Sequence, residues 1–491
     1  MTSRRTVLAA AGAATGAAVA GGALVATPAA AAPAQLVAGD PIAHLLRRAT
    51  YGPTAASLAE AKKLGVAGWL DRQLAPATID DGACDRVLAR LPLAGASIAE
   101  VRAALPVHSY DAFGQLGRAA VARAAWSNRQ LFEVTAMFWA NHLHITAPSS
   151  GVWDSRSDYE TQVIRKHAFG KFADMLRASA RHPAMLTYLD NRSSTRAHPN
   201  ENYARELMEL HTVGLIYSED DVAAAARLLT GRTVGKDGTY FYDAARHAAG
   251  PVQVLGFTGT DADAFVGYLA RHPATAQRIA TKLCVRFVAD DAPASLVARL
   301  AKIYLDNDTA IVPVLRALFT SPEFAAAAGR KTRTPLEDLA ATVRALGLGP
   351  ESSGVKALDA LYNALVDAGN APYRWSPPNG FPDVAAAWAS PSAFLMRCNL
   401  HLNLAAGWYP SRLTRPADLV KALVPVQPAT FGALVDALAV RLTGTRLPAA
   451  HTAAALSVAG KLPTSPVDKS LNGAAPYLIA MVLNSPTFQL R

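Results

Sequence analysis

From residue 43 to residue 484, apolar side chains return every three or four positions in short runs, each closed by Gly, Pro or a small polar residue. This constrains the fold most, because a period near 3.6 places a stripe on one side of a helix, whereas a half-buried strand needs strict alternation. The spacing predicts helices over 43–50, 55–64, 66–74, 98–105, 113–127, 130–142, 159–169 and 172–179. It predicts more over 220–230, 261–270, 274–288, 294–307, 311–319 and 336–346, and a last group over 355–367, 393–405, 416–423, 430–442 and 476–484. Punctuation agrees with the periods. Thr54 stands as an N-cap, Gly65 closes the helix that follows, and Ser218 with Asp221 reads as a capping box before a helix stopped by Gly231. One stretch differs, since Asp237-Gly238 between β-prone flanks predicts a hairpin over 233–242. The expected fold class is all-α, a large multi-helix single domain over 33–491 with that one minor hairpin. The echoes Arg181-His182-Pro183-Ala184 and Arg271-His272-Pro273-Ala274 read as helix starts with proline in the first turn, not as a solenoid repeat.

Arg4-Arg5 followed by an Ala/Gly/Val run without acidic residues reads as a twin-arginine export signal over 1–32, with small-residue cleavage options near Ala30 to Ala32. The expected location is therefore extracellular or cell-envelope, with no transmembrane span in the mature chain. Losing Arg4 and Arg5 lowers the formal net charge from +10 to +8, and the remaining charges are dispersed. That distribution excludes a nucleic-acid partner, which would want a basic stripe with interleaved aromatics. Cys84, Cys284 and Cys398 are too few and too scattered for a disulfide framework or a Cys-rich metal site, and are expected as small buried apolar residues.

No nucleophile elbow, phosphate loop, dinucleotide fingerprint or zinc signature occurs in the sequence. The densest polar constellation is Pro199 to His211. At about 100° per residue, Asn202, Arg205, Glu206 and Glu209 share one face of a helix, and Tyr203, Leu207, Leu210 and His211 the other. If the polar face is buried, its carboxylates must be paired, protonated or metal-bound; if exposed, it is a solvated stripe. Glu206, Glu209 and Arg205 are accordingly the candidate catalytic residues. His142 is the candidate metal ligand, for a divalent ion such as Zn, Mn or Fe, on condition that it faces Glu206 and Glu209. Joint ligation by His142 and His144 would require the helix to end at Asn141. Asn202, Asn141, Trp139, Arg165 and His167 are the candidate binding residues. The polar run Asp154 to Asp158 beside Trp153, and the aromatic-proline run Tyr373 to Pro378, are alternative ligand surfaces.

Several stretches together resemble a known family. His44-Leu45-Leu46-Arg47-Arg48-Ala49-Thr50-Tyr51-Gly52-Pro53-Thr54, Phe138-Trp139-Ala140-Asn141-His142, Ile164-Arg165-Lys166-His167-Ala168-Phe169-Gly170, Tyr188-Leu189-Asp190-Asn191 and Asn200 to His211 are similar, in that order, to the bacterial domain-of-unknown-function-1800 family. The resemblance implies an exported, mostly helical protein, often accompanied by a sulfatase-like exported partner, and implies no established activity. Two places depart from the family pattern. Ala248 stands after His247 where an acidic residue is usual, and the glycine-rich Pro-Pro loop is here Pro377-Pro378-Asn379-Gly380-Phe381-Pro382-Asp383. Three function classes follow: a noncatalytic envelope protein binding a polysaccharide or escorting the partner, a metal- or carboxylate-dependent hydrolase or lyase acting on extracellular polymer, and a structural helical scaffold.

Overall fold

Helices begin where the sequence provides a side-chain cap. The Thr54 hydroxyl accepts from the backbone N–H of Ser57 and the Ser218 hydroxyl from that of Asp221, each returned to form the reciprocal capping box. The structure, a computed structural model, describes residues 39–491, so the expected export signal at 1–32 lies outside the described residues. Within them, 24 α-helices and only two small antiparallel sheets make the fold all-α. Gly65 does not close a helix. It adopts φ 70° and kinks a continuous element, Ala55–Gln73, in which the two predicted helices meet.

The expected hairpin forms from β1, Arg232–Val234, and β2, Tyr240–Tyr242, with Arg232 opposite Tyr242. A second hairpin, β3 Val252–Val254 with β4 Phe257–Gly259, was not legible in the sequence. Its turn residues Leu255 and Gly256 both have positive φ, 48° and 89°. Such a turn favours Asn-Gly or Asp-Gly, and leucine at the first position hides it. Tertiary bonds hold Leu255 there: its N–H donates to Asp221 Oδ1 at 2.9 Å and its carbonyl accepts from the Tyr268 hydroxyl at 2.5 Å.

One connected apolar core contains residues from Leu45 to Phe488, and fully buried Trp69, Trp139, Phe172 and Phe287 fill it. No helix of the described residues is long and apolar enough to cross a membrane. Cys84 and Cys284 are buried, Cys398 is half-buried, and all three are free thiols. The paired arginines after His44 close off backbone ends. Arg48, fully buried, donates to the carbonyls of Val288 (2.9 Å) and Ala327, so a cation sits at the C-terminal, electronegative end of helix Pro273–Phe287.

The same helix carries Arg278, Lys282 and Arg286 four residues apart, hence on one face, and that face points inward. Arg286 meets Glu337 at 2.6 Å, and Arg491 meets the same carboxylate at 2.9 Å. Asp383 lies 3.4 Å from Arg286 and 3.2 Å from Lys331, which also pairs with Asp290 at 2.6 Å. Burial alone would raise the pKa of Glu337, but Arg286 and Arg491 hold it down at about 2. Removing one member of such a buried pair strands the other charge. Glu337→Gln is therefore expected to lower stability by about 3–5 kcal/mol, whereas Arg205→Ala, which breaks an exposed pair, costs about 1 kcal/mol or less. Urea unfolding of both variants checks this, and equal losses would contradict it.

Candidate functional site

The segment Asn200 to His211 starts as the helix Glu201–Glu206, capped by Asn200, whose side-chain oxygen accepts from the backbone N–H groups of Asn202 (2.8 Å) and Tyr203 (3.4 Å). It continues as a π-helical turn, Leu207–His211. A π turn inserts a residue, so the face assignment made on an α-helical wheel holds only up to Leu207. Tyr203, Leu207, Met208 and His211 are buried, and Glu206 and Glu209 are half-buried beside them. The turn is closed by the Thr212 hydroxyl donating to the Leu207 carbonyl (2.7 Å) and by Gly214 N–H donating to Met208 (3.0 Å) at φ 78°.

Arg205 does not join the carboxylates in a buried network. It turns outward into a bidentate pair with Glu219, 2.7 Å on each branch, with Glu201 at 3.8 Å. Glu209 instead accepts from the Tyr217 hydroxyl at 2.6 Å, and its charge reaches Arg278. Glu206 has no hydrogen-bond or ionic partner among the described residues. Burial, and then the like charge of Glu209, push its carboxyl above the usual range.

Beneath this rim, helix Gln130–His142 delivers His142 into the core. Its Nε2 lies 3.1 Å from the His211 carbonyl oxygen, which can only accept, so Nε2 carries the proton. Nδ1 is then the acceptor for Lys282 Nζ at 3.0 Å. Both ring nitrogens of His142 are thus engaged, and the ring stacks parallel to Phe138 at 6.3 Å. Burial, and then Lys282, hold His142 well below the usual imidazole range. His211, 6.5 Å away between ring centroids, is buried with neither ring nitrogen bonded, and burial brings its pKa to about 3. Burial followed by Arg278 lowers Lys282 to about 8. The result is two neutral imidazoles against a lysine of lowered pKa, with Glu209 acting on the neighbouring Arg278.

His142, Glu206 and Glu209 do not come together as ligands. Among the described residues no group of three or more His, Cys, Asp or Glu side chains is arranged to hold a metal ion. His144 is separate from His142, with Nε2 donating to the Trp375 carbonyl at 2.7 Å, because the helix runs on through His142 and the two rings diverge.

The remaining sequence candidates fall elsewhere. Trp139 is fully buried, donates to the Ala168 carbonyl at 3.1 Å and stacks on Phe172, so it is core. Arg165 forks onto Glu133 at 2.7 Å on both branches, at the end of a second π segment, Glu160–Arg165. His167 is half-buried on the chain just beyond it, and burial followed by Lys166 lowers its pKa. Asn202 is exposed, with its amide 3.4 Å from the Leu189 carbonyl. Asn141 clamps the Pro-Pro loop, donating to the Phe381 carbonyl at 2.8 Å and accepting from Phe381 N–H at 2.6 Å. Gly380, φ 73°, is required there, since a Cβ would lie 2.1 Å from the Asn141 carbonyl oxygen.

Asp154, Ser155, Arg156 and Ser157 are buried, so that run offers no open ligand surface; Arg374, Ser376 and Pro377 of the other run are exposed. At Ala248, the other departure from the family pattern, the backbone N–H donates to the Thr230 hydroxyl at 2.8 Å and His247 Nδ1 meets the Thr230 carbonyl at 3.0 Å, which ties the segment down without an acidic side chain. Lys282, Arg278 and Tyr217 were missed by sequence reasoning. The signal was the spacing of Arg278, Lys282 and Arg286, which ordinarily marks a solvated stripe.

An all-α chain whose central segment carries two half-buried carboxylates beside buried neutral histidines is the class defined by this geometry. The sequence matches the family DUF1800, described as a protein of unknown function, over residues 44–490, and the chain belongs to that family. No curated protein and no solved structure matches it.

The buried imidazoles set a pH dependence. His44 and His144, each brought to about 4 chiefly by burial, and His211 at about 3, are neutral in the fold but protonate below the ordinary value of 6.5 once unfolded. The unfolded chain then binds more protons, so stability is lost as pH falls from 6.5 towards those values, by about 1.4 kcal/mol per pH unit for each group. Urea midpoints are expected to drop between pH 7 and pH 5, and His211→Leu to have a shallower slope than the unsubstituted protein. Identical slopes would show that His211 is not the neutral buried group described.

Proposed function

We propose that this chain is an exported cell-envelope protein that binds a hydroxyl-rich polymer, a glycan of the envelope, on the surface around Glu206, Glu209, Tyr217, Tyr188 and the Trp375 loop. The observation that carries this reading is Glu206. A half-buried carboxylate without a partner, whose pKa is raised by burial, gains directly from O–H donors brought by a ligand. Glu209, already holding the Tyr217 hydroxyl, is a second acceptor beside it. Tyr188 supplies a half-buried ring, anchored by its hydroxyl to the Ser376 carbonyl at 3.3 Å, and the charge of Glu206 acts on it. Acceptor pairs flanked by aromatic faces suit sugars, whose rings offer hydroxyls at the edge and C–H groups on the face. Export rests on Arg4 and Arg5. The sulfatase-like partner implied by the family resemblance would meet exposed Leu215 and Ile216, which lie next to this surface in the chain.

A second reading has its own support. A carboxyl with a raised pKa next to one that accepts a phenol hydrogen bond is the division of roles used by carboxylate-dependent hydrolases and lyases, with Glu206 as acid and Glu209 as base. Pull-down on purified envelope polysaccharide separates the two. Glu206→Ala is expected to weaken binding at least tenfold, about 1.4 kcal/mol, with no loss of thermal stability, and Glu206→Gln to melt at the same temperature or higher. Full retention of binding by Glu206→Ala would overturn the binding surface, and release of soluble fragments by the unsubstituted protein would establish the hydrolytic reading instead. Changing Arg4 and Arg5 together to Lys is expected to leave the protein in the cytoplasm, as fractionation would show; normal export would remove the envelope assignment.

A further inference from the structure

Away from the central helix, a cavity of about 200 Å³ lies between the two arms of the kinked helix Ala55–Gln73 and the segments carrying Asn128, Gln130 and Arg344. It has room for on the order of ten non-hydrogen atoms. Its amide walls are already committed. Gln73 donates to the Asn128 carbonyl (3.0 Å) and accepts from Leu131 N–H (3.1 Å), and Gln130 accepts from Tyr51 N–H (2.9 Å) and donates to the Ser127 carbonyl (2.8 Å). They are rigid surfaces, not free donors.

Arg344 differs. It is 7% exposed, and its guanidinium donates only to neutral carbonyls: Nε to Gly52 at 2.6 Å, Nη1 to Ala125 at 3.2 Å and to Ser127 at 3.3 Å. Nη2 makes no hydrogen bond among the described residues. Among the described residues the one carboxylate whose charge reaches it, Asp81, is itself held by the Ser127 hydroxyl at 2.7 Å and by Asn128 N–H at 2.5 Å. A buried cation paired only with carbonyls is costly, and burial brings its pKa to about 10. A second arginine, Arg72, lines the same cavity from a half-exposed position, paired with Glu60 at 2.8 Å. Trp69 and Ile79 also line it but are almost fully buried, so the apolar face they offer is small.

We propose that this cavity is a binding site for a small organic anion bearing a carboxylate, of monosaccharide size or below, with the carboxylate on Nη2 of Arg344. Nη2 is the guanidinium nitrogen left to donate to the carboxylate, and the delocalised cation behind it is more weakly hydrated than a lysine ammonium. A volume of about 200 Å³ exceeds what a single inorganic anion fills, which favours an organic one. The inference does not depend on the polymer-binding surface, because none of these residues belongs to it.

The test is calorimetry and thermal melting of the protein with glucuronate, succinate, glucose and inorganic phosphate in low-chloride buffer. Glucuronate or succinate is expected to bind and raise the melting temperature, and glucose to do neither. Ala56→Trp, an exposed rim position lining the cavity, is expected to raise the carboxylate Kd at least tenfold while the ligand-free melting temperature stays unchanged. Arg72→Ala is expected to weaken binding less, because Arg72 already has a carboxylate partner. Carboxylates binding no better than glucose would overturn the proposal. So would phosphate matching the carboxylates, or carboxylate binding that survives Ala56→Trp unaltered.

Discussion

The buried carboxylate of Glu337 holds together parts of the chain that share no local structure. Arg286 from helix Pro273–Phe287 and Arg491 both point at it, and Asp383 from the Pro-Pro loop meets the same Arg286. A charge removed from water must find opposite charge at close range, so this carboxylate dictates how the helix is rotated about its axis. Once Arg286 is turned inward, Lys282 and Arg278 are turned inward as well, one and two turns earlier on the same face. Lys282 then reaches His142 and Arg278 comes under the influence of Glu209. The candidate site is thus oriented from its far end.

That orientation explains the electrostatics of the site. Its cations lie deep and its carboxylates lie at the rim, so the imidazoles between them meet positive charge and little water, and both effects favour the neutral ring. The π turn at Leu207–His211 contributes by placing the His211 carbonyl over His142 while leaving Glu206 and Glu209 half outside. The extra residue of the π turn shifts Glu209 and His211 relative to the α-helical face that carries Glu206. A site of this kind accepts hydrogen bonds at its surface and holds an amine of lowered pKa beneath, and among the described residues it assembles no ligand set for a metal ion.

Much of the fold was legible because helices are specified locally. Thr54, Ser218 and Asp237-Gly238 act on neighbours within a few residues, and each does in the structure what its spacing predicts. The second hairpin was hidden because Leu255 is held at positive φ by Asp221 and Tyr268, residues distant in the chain. The grouping expected on the central segment differs from the contacts in the structure. Arg205 found Glu219 outside the segment, and Trp139 and Arg165, taken as binding residues, are occupied by the core and by Glu133.

The sequence by itself determined the helical class, most helix starts, the first hairpin and the family, because capping, periodicity and turn chemistry are short-range and additive along the chain. Only the tertiary structure decided which charged residues face inward. Arg278, Lys282 and Arg286 look, by spacing alone, like a solvated stripe, and Glu206 and Glu209 like its acidic counterpart. Whether such a stripe meets water or opposite charge depends on partners such as Glu337 and His142 that lie far away in sequence, and the strength of charge interactions in the interior depends on the dielectric that those partners and the surrounding core create.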